Sequence, residues 1–556
     1  GIAADRASIQ RRLLNTGKGP AVHALRMQAD KFLYQRIMKE TLENTAHLDV
    51  RQLLVTELRT EETADGRRVT GIRCETGEQL TARAVILATG TYLRGRIILG
   101  ETIYDGGPNG QRPAMAFSDS LRAAGIRLMR FKTGTPARVD RRTLDLAETA
   151  LQTGDHDAPA FSFLTDAMPD AQTPCYLTYT NEATHAVIRA NLHRAPMANG
   201  VIEGIGPRYC PSIETKIARF PDKERHQLFL EPEGLHTNEI YVQGMSTSLP
   251  TDVQEEFLRT IPGLQHARMM RPGYAIEYDC LDPLQLEASL AVKEIAGLYS
   301  AGQANGTSGY EEAAAQGLLA GINAARACMG EEPLILRRSD GYIGVLIDDL
   351  VTKGTEEPYR MMTSRAEYRL VLRQDNADLR LTPIGRRIGL VSDARWTRFT
   401  AKRDAIRAAL AQLRETRLSP STATEDRLAA AGIPPLRTPM TLFALLAREG
   451  DYRALAAVFD LPPLADDVRE EVEIIARYDG YIRKQEEQIA RMERLEARRI
   501  PADTDYAAIG SLRLEAAEKL AAVRPRSIGQ ASRISGVSPA DISVLLVWLE
   551  KERRIS

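Results

Sequence analysis

The stretch GLYSAGQANGTSGYEEAAAQGLLAGINAAR, from Gly297 to Arg326, constrains this chain more than any other. A short apolar lead-in, Leu298 and Tyr299, runs into Ala301, Gly302 and a turn of glycines and small polar residues. An alanine-rich helix is expected from Tyr310 or Glu311. Gly302, Gly306 and Gly309 have no Cβ, so backbone at such a strand–turn–helix joint can come close to a flat, phosphorylated ligand. The helix start behind it offers free N–H groups and a partial positive charge. A strand-to-helix turn in any α/β domain has the same outline, so the rest of the chain must choose between the readings.

A chain of 556 residues can hold about three or four domains. Its 43% apolar and 26% charged residues are those of an ordinary globular protein. Five cysteines, Cys74, Cys175, Cys210, Cys280 and Cys328, include no CxxC pair. That argues against a disulfide framework or a zinc site and for a reducing, cytoplasmic setting. No apolar run approaches the ~20 residues that cross a bilayer, and no signal-peptide pattern is seen, so no membrane role is expected. With a formal net charge of −1, a nucleic-acid partner has to be held by a local basic surface.

Residues 50–90 favour the ligand-binding reading. Val50 to Leu58 alternates as a strand, Arg68 to Glu75 is a second, and Thr76-Gly77-Glu78 turns into a third short piece. Ala84 to Ala88 is a buried-type strand ending in Thr89-Gly90. A small meander followed by a strand ending in Ala-Thr-Gly is the usual order in flavoproteins with two dinucleotide-binding domains, where the later glycine joint lies beside the flavin. Such a fold needs a strand–GxGxxG–helix, and none occurs in the first hundred residues; the expectation is that it precedes Gly1.

Longer segments then match a known family. They are IQRRLLNTGKGPAVHALRMQADK (Ile9–Lys31), GPRYCPSIETKIARF (Gly206–Phe220), QLFLEPEG (Gln227–Gly234), RPGYAIEYD (Arg271–Asp279), AGQANGTSGYEEAAAQG (Ala301–Gly317), EPYRMMTSRAEYRL (Glu357–Leu370) and SIGQASRISGVSPADISVLLVWL (Ser527–Leu549). The chain resembles the glucose-inhibited division protein A (MnmG) family, the large flavoprotein subunit of a tRNA wobble-uridine modifying enzyme. The resemblance implies an α/β FAD-binding fold with an inserted domain and an all-α C-terminal half. Its parts would be a FAD-binding domain at 1–135, an inserted NAD(H)- and substrate-side domain at 136–270, and a return to the FAD-binding domain at 271–330. A helical linker domain with a basic, tRNA-facing region would follow at 331–465, and a C-terminal helical domain at 466–556. It also implies a second cysteine in the segment before Gly1.

The resemblance further implies addition of a (carboxymethyl)aminomethyl group to C5 of the wobble uridine. FAD, NADH and methylenetetrahydrofolate would serve as cofactors and one-carbon donor, and glycine or ammonium as amine source. The implied partners are tRNA, a tRNA-modification GTPase and a second copy of the chain. FAD contacts would come from Val55, Gly90, Gly302, Gln303 and Gly306. The related folate- and FAD-dependent tRNA uracil-5-methyltransferase lacks the long helical half, and a vestigial flavin-fold scaffold is the non-enzymatic alternative.

Cys210 lies between two prolines, with Arg208 just before it and Lys216 after, and nearby cations raise the thiolate fraction. Uracil C5 is a poor nucleophile until something adds at C6, a task for Cys210. The bland alternative is a small buried thiol in a proline-stiffened loop. The family uses the same stretch, Gly206, Pro207, Arg208, Tyr209, Cys210, Pro211, Ser212, Ile213, Glu214, Thr215, Lys216, Ile217, Ala218, Arg219 and Phe220, for NAD(H), so both roles stay open. Cys280 reads as structural. In the turn-rich Asn15 to Val22, Lys18 is expected with Arg26 near phosphate or the flavin edge.

Between Lys353 and Arg403, 12 Lys and Arg stand against 6 Asp and Glu. Arg360, Arg365, Arg369 and Arg373 share a face if the segment is helical, with Tyr359 and Tyr368 interleaved to stack on bases. The competing reading is a solvated, salt-bridged helix. After about Asp404 the chain reads as helical; Val468, Ile475, Ile482 and Ile489 recur every seven residues, interrupted by Gly480. Near the end Ser538 and Pro539 are expected to start a last helix. Pro539 to Leu549 carries no Lys or Arg, which argues against a DNA-reading helix and for a docking surface or core.

Overall fold

The apolar run before Thr89 forms the strand Val85–Leu87, which pairs in parallel with Leu298–Ser300. Leu298 stands opposite Val85, Tyr299 opposite Ile86 and Ser300 opposite Leu87. The helix Tyr310–Cys328 joins this pair in the main apolar core, where Leu319 and Ala320 meet Leu87, Leu298 and Tyr299. This computed structural model describes residues 1–196, 200–208 and 211–555, with 552–555 as backbone only.

The meander lies beside that pair, with its first strand shifted from the expected place. It runs Val55–Thr63, Gly66–Cys74 and Gln79–Thr81, while Val50 stays exposed. Gly66 adopts φ 108°, so the hairpin closes at Ala64-Asp65 and the ladder extends up to it. An antiparallel sheet follows in the order Thr102–Asp105, Arg96–Leu99, Tyr274–Leu281, Leu128–Thr135.

Between Arg138 and Arg271 the chain builds a six-stranded antiparallel sheet. The helices Glu182–Ala190 and Thr251–Leu258 cover its core of Val139, Leu228, Leu230, Val242 and Phe257. The hairpin Ser8–Leu14 with Ala24–Ala29 is tied to this unit, Gln10 Nε2 donating to Gln152 O at 2.8 Å. Asp30 caps the helix Lys31–Glu43 through Leu33 N–H and also accepts from Leu235 N–H. Buried Arg11 has its guanidinium held by the carbonyls of His156, Ala158 and Pro169.

His185 and His226 lie against each other in this sheet unit, rings tilted by 43° and centroids 5.5 Å apart. Burial lowers both from the ordinary histidine value, with Arg189 adding to the effect on His185, and His185 and Lys216 to that on His226. The unfolded chain therefore takes up protons first as pH falls. The pair's contribution to stability is full above pH ~6.5 and is lost progressively below it. Denaturant unfolding of wild type between pH 7.5 and 5.5 should show this decline, and His226→Phe should flatten it. An unchanged slope in that variant would refute the assignment.

From Tyr342 onward the regular elements among the described residues are helices joined by irregular segments, apart from a two-residue pairing of Arg417–Leu418 with Met440–Thr441. Asp466–Glu496 is one helix that runs through Gly480 without a break, so the glycine interrupts the apolar pattern and not the backbone. Val468, Val472 and Ala476 enter one core, and Ile489 packs on Val345, Ala366, Tyr368 and Leu372. The last helix, Pro539–Ile555, starts as expected: Ser538 Oγ accepts from Asp541 N–H while the Asp541 carboxylate accepts from Ser538 N–H. Among the described residues no helix is long and apolar enough to cross a membrane.

Candidate functional site

The glycine turn is a preorganised unit. Gly302 at φ 78° and Gly306 at φ 75° bracket one turn of 3₁₀ helix, Gly302–Asn305. Both glycines take the left-handed conformation that side chains disfavour. Asn305 Nδ2 donates to Ser300 O and to Gln316 Oε1, both at 2.8 Å. Gln316 Nε2 donates to Thr307 Oγ1 at 3.0 Å, and Thr307 Oγ1 donates back to Gly302 O at 2.9 Å. These side chains are buried, so the network holds the turn rigidly.

The two expected halves meet here. Gly90, at φ 53° just past the strand Val85–Leu87, lies against Gln303, whose Oε1 would be 3.9 Å from a Cβ at Gly90. Thr89 Oγ1, Ser300 Oγ and Asn305 Oδ1 are buried without hydrogen-bond partners among the described residues. The helix Tyr310–Cys328 has no side-chain cap at its start, and the Tyr310 side chain is 93% exposed. A rigid glycine turn with unsatisfied hydroxyls beside it and free helix N–H groups fits a ligand rich in hydrogen-bonding atoms, as FAD is. Val55 begins the meander opposite Cys74, half-buried against the main core.

On the other side of the turn lies Phe131. A Cβ at Gly306 would stand 2.9 Å from its ring, and a Cβ at Gly204 2.8 Å from its backbone carbon. Gly204 leads into the Gly206–Phe220 segment, which joins the strand Leu128–Thr135: Lys132 N–H donates to Ile205 O at 3.0 Å. Buried Glu277 anchors this entry, one oxygen accepting from Glu203 N–H at 2.7 Å and Gly204 N–H at 2.6 Å. The Arg96 guanidinium lies 3.1 Å from its other oxygen. Further on, Arg208 is exposed and 3.9 Å from Glu357. Tyr209 and Cys210 lie outside the described residues.

The rest of that segment is divided between fold and surface. Ile213 and Ile217 are buried in the core of the sheet unit, and the buried Glu214 carboxylate accepts from Ser248 N–H and Oγ. These three side chains thus support the segment and do not face a ligand, which corrects the expectation for them. Ser212 Oγ bonds Thr215 Oγ1 at 2.9 Å, and Lys216 Nζ donates to Gly244 O at 3.2 Å. Gly206, Pro207 and Pro211 are half-buried, whereas Ala218, Arg219 and Phe220 are exposed. Cys280 is fully buried, and burial pushes its thiol far above the usual range, as expected of a structural cysteine. Cys175 is pushed up to about 12 by burial, with Glu231 adding to it.

The basic segment departs most from expectation. Arg360 to Arg373 is not an α-helix; its one regular element is the short 3₁₀ turn Thr363–Arg365. Tyr359 forms an isolated parallel bridge beside the glycine turn, Tyr359 N–H donating to Gly306 O and Ser308 N–H to Tyr359 O, both at 2.8 Å. Tyr359 and Tyr368 are buried, so neither stacks on a base. Arg373 is also buried and paired with Glu471 at 2.5 Å and Asp375 at 3.0 Å, so it is no tRNA contact. Arg365 keeps its guanidinium 4.2 Å over the Tyr359 ring, half-exposed Arg360 lies 3.5 Å from Glu312, and Arg369 is half-buried.

The Asn15–Val22 loop packs on the helical half. A Cβ at Gly19 would be 3.5 Å from Tyr478 Oη, and just beyond the loop Leu25 N–H donates to Gln374 Oε1 at 2.9 Å. Lys18 is exposed there, while Arg26 is committed to a pair with buried Glu231. These neighbours replace the expected place at the flavin edge. Sequence reasoning missed Glu277 and Glu312. Glu277 had a readable signal, one of two carboxylates, with Asp279, in the mostly apolar strand Tyr274–Leu281, because a buried charge requires partners. Glu312 accepts from Met361 N–H at 2.8 Å and fills the space that a Cβ on Gly309 would need.

Comparison with known proteins agrees with this arrangement. The family described as glucose inhibited division protein A matches residues 1–332. Two further families, the C-terminal helical domain and the C-terminal helical bundle of the tRNA modifying enzyme MnmG/GidA, match residues 393–486 and 488–556. The tRNA uridine 5-carboxymethylaminomethyl modification enzyme MnmG of Caldicellulosiruptor saccharolyticus is 56% identical over 556 residues, covering 100% of this chain and 88% of its own length. The protein of that name in Heliobacterium modesticaldum is 56% identical over 566 residues, with coverage of 100% and 88%. Aquifex aeolicus GidA, in its form II crystal, superposes with a TM-score of 0.90 at 43% identity, covering 99% of this chain and 88% of that one. The glycine turn, the sheet unit inserted before it and the helical half after it are therefore those of a glucose inhibited division protein A, and the chain belongs to the MnmG/GidA family.

Proposed function

We propose that this chain is a FAD- and NADH-dependent tRNA-modifying enzyme that builds a (carboxymethyl)aminomethyl group on C5 of the wobble uridine. The names of the relatives at 56% identity support the reaction. One observation supports the reading of the site most: Phe131 has Gly306 against its ring and Gly204 against its backbone. The turn suited to a flavin and the segment leading to Cys210 thus lie back to back.

When bound, FAD supplies the redox capacity of the reaction, re-reduced by NADH, with the one-carbon unit coming from methylenetetrahydrofolate. The chain's own residues hold and expose the reactants. Gly90 and Gly302 offer backbone approach, Gly306 holds the turn against Phe131, and Thr89 and Ser300 offer unsatisfied hydroxyls. Gly206 to Phe220 carries the nicotinamide contact through its backbone and its exposed residues. Cys210 adds to uracil C6: the sulfur–C6 bond forms and the C5–C6 π pair moves towards C5 and O4, so that C5 becomes nucleophilic. The uridine is splayed out of the anticodon stack for this. Exposed Lys18 and the guanidinium groups of Arg360, Arg365 and Arg369 supply phosphate contacts. The last helix, with Val547 69% exposed, is the docking element for a GTPase partner, and the working unit is a homodimer.

The test is covalent trapping of 5-fluorouridine-substituted tRNA on the full chain supplied with FAD, NADH and methylenetetrahydrofolate. Wild type is expected to form a denaturation-resistant adduct and Cys210→Ser none. An adduct that survives Cys210→Ser unchanged removes that residue from the nucleophile role.

A further inference from the structure

A polar chain, part-buried at Arg533 and Asp348 and buried at Arg338, Asp349 and Tyr359, runs from the C-terminal bundle to the glycine turn. Arg533 donates through Nε and Nη2 to the two oxygens of Asp348 at 2.7 and 2.8 Å. Asp348 also accepts from Arg338 Nη1 at 3.0 Å, and the same nitrogen reaches Asp349 Oδ1 at 2.8 Å. The other oxygen of Asp349 accepts from Tyr359 Oη at 2.8 Å. Tyr359 then pairs by its backbone with both Gly306 and Ser308. We infer that Arg533, Asp348, Arg338, Asp349 and Tyr359 are positioning residues, a relay through which the C-terminal bundle sets the geometry of the glycine turn.

Every link is a hydrogen bond between groups of defined charge. Burial opposes ionisation of Asp349, yet Lys353 and Arg338 bring its carboxyl below the usual range. Burial and that carboxylate raise the Tyr359 hydroxyl, so Tyr359 is the donor. Arg338, Asp349 and Tyr359 are all buried, and Arg338 further ties in Glu367 and the carbonyl of Arg365. Buried ion pairs are poor stabilisers, because apolar residues of the same volume pack as well; their use lies in specifying one arrangement. Beside the relay a cavity of about 360 Å³, lined by Arg338, Asp348, Glu367, Glu496 and Arg533, leaves the bundle room to shift against the helix Tyr342–Lys353. A shift of Arg533 changes the partners of Asp348, and the change reaches Tyr359 through Arg338 and Asp349, which are buried.

The functional consequence rests on reading the turn as the cofactor contact, but the relay itself is testable without cofactor. Amide hydrogen exchange on the full chain reads the N–H groups of Ser308 and Tyr359, which close the two final bonds. Asp349→Asn is expected to speed their exchange about tenfold, and Arg533→Gln, at the far end, about threefold, with the strand Gln227–Pro232 unchanged as the control. Exchange at Ser308 and Tyr359 that stays at the wild-type rate in Arg533→Gln overturns the relay, whatever happens within the bundle. Should that variant fail to fold, Asp348→Asn cuts the same link and is judged by the same two outcomes. FAD titration of wild type is the separate check: no uptake would sink the cofactor reading and leave the exchange result standing.

Discussion

Glu277→Leu should release the segment that leads to Cys210. It removes the acceptor shared by Glu203 and Gly204 N–H and leaves the Arg96 guanidinium without its carboxylate. Two stranded donors and an unpaired cation together cost about 3 kcal/mol, which corresponds to roughly a hundredfold faster amide exchange at Gly204. Glu277→Gln keeps an acceptor oxygen and loses only the charge, so its effect should be much smaller. Gly204 packs on Phe131, so the loosened segment also loses its register against the glycine turn. Trapping of 5-fluorouridine tRNA is expected to fall in proportion. A Gly204 amide in Glu277→Leu that exchanges at the wild-type rate would refute the anchoring role.

The second large effect is expected at the turn. Gly306→Val places a β-branched residue at φ 75°, where the left-handed conformation costs roughly 1–2 kcal/mol even for unbranched side chains. The new Cβ would stand 2.9 Å from the Phe131 ring and 3.1 Å from Thr355, and overpacking adds about 1–3 kcal/mol. The site relaxes by moving the turn away from Phe131, which breaks the bond from Tyr359 N–H to Gly306 O. FAD uptake, followed by flavin absorbance of the purified protein, should be lost while the helical half keeps its stability. Gly306→Ala carries a smaller steric load and should bind FAD more weakly than wild type but measurably. Full flavin occupancy in Gly306→Val would exclude this turn as the contact.

Local chemistry accounts for what could be read directly from the chain. A glycine needed at positive φ leaves its mark in the sequence, and Gly90, Gly302 and Gly306 stand where the joint requires them. The same holds for the Ser538 cap, whose partner Asp541 is three residues away, and for Cys280 inside a buried strand. The basic segment shows the opposite case. Arg360, Arg365, Arg369 and Arg373 have helical spacing, yet the chain there forms a 3₁₀ turn and irregular turns, with Tyr359 just before it paired to Gly306 and Ser308. Hydrogen bonds to a distant turn outweighed a weak local helix preference.

Spacing along a chain conveys backbone period, glycine demand and capping, because these act over a few residues; for this protein they were enough for the strand–turn–helix joint, the meander and the helical half. Which charges face solvent is settled by surfaces that meet from far apart in sequence. Arg373 is buried because Glu471 on the helix Asp466–Glu496 comes to it, and Arg26 is occupied because Glu231 does. Glu277 could be recognised as a buried charge in need of partners, but only the folded chain brings it the N–H groups of Glu203 and Gly204. A buried charge takes whichever partner tertiary packing delivers, and packing is a property of the whole core and not of any segment.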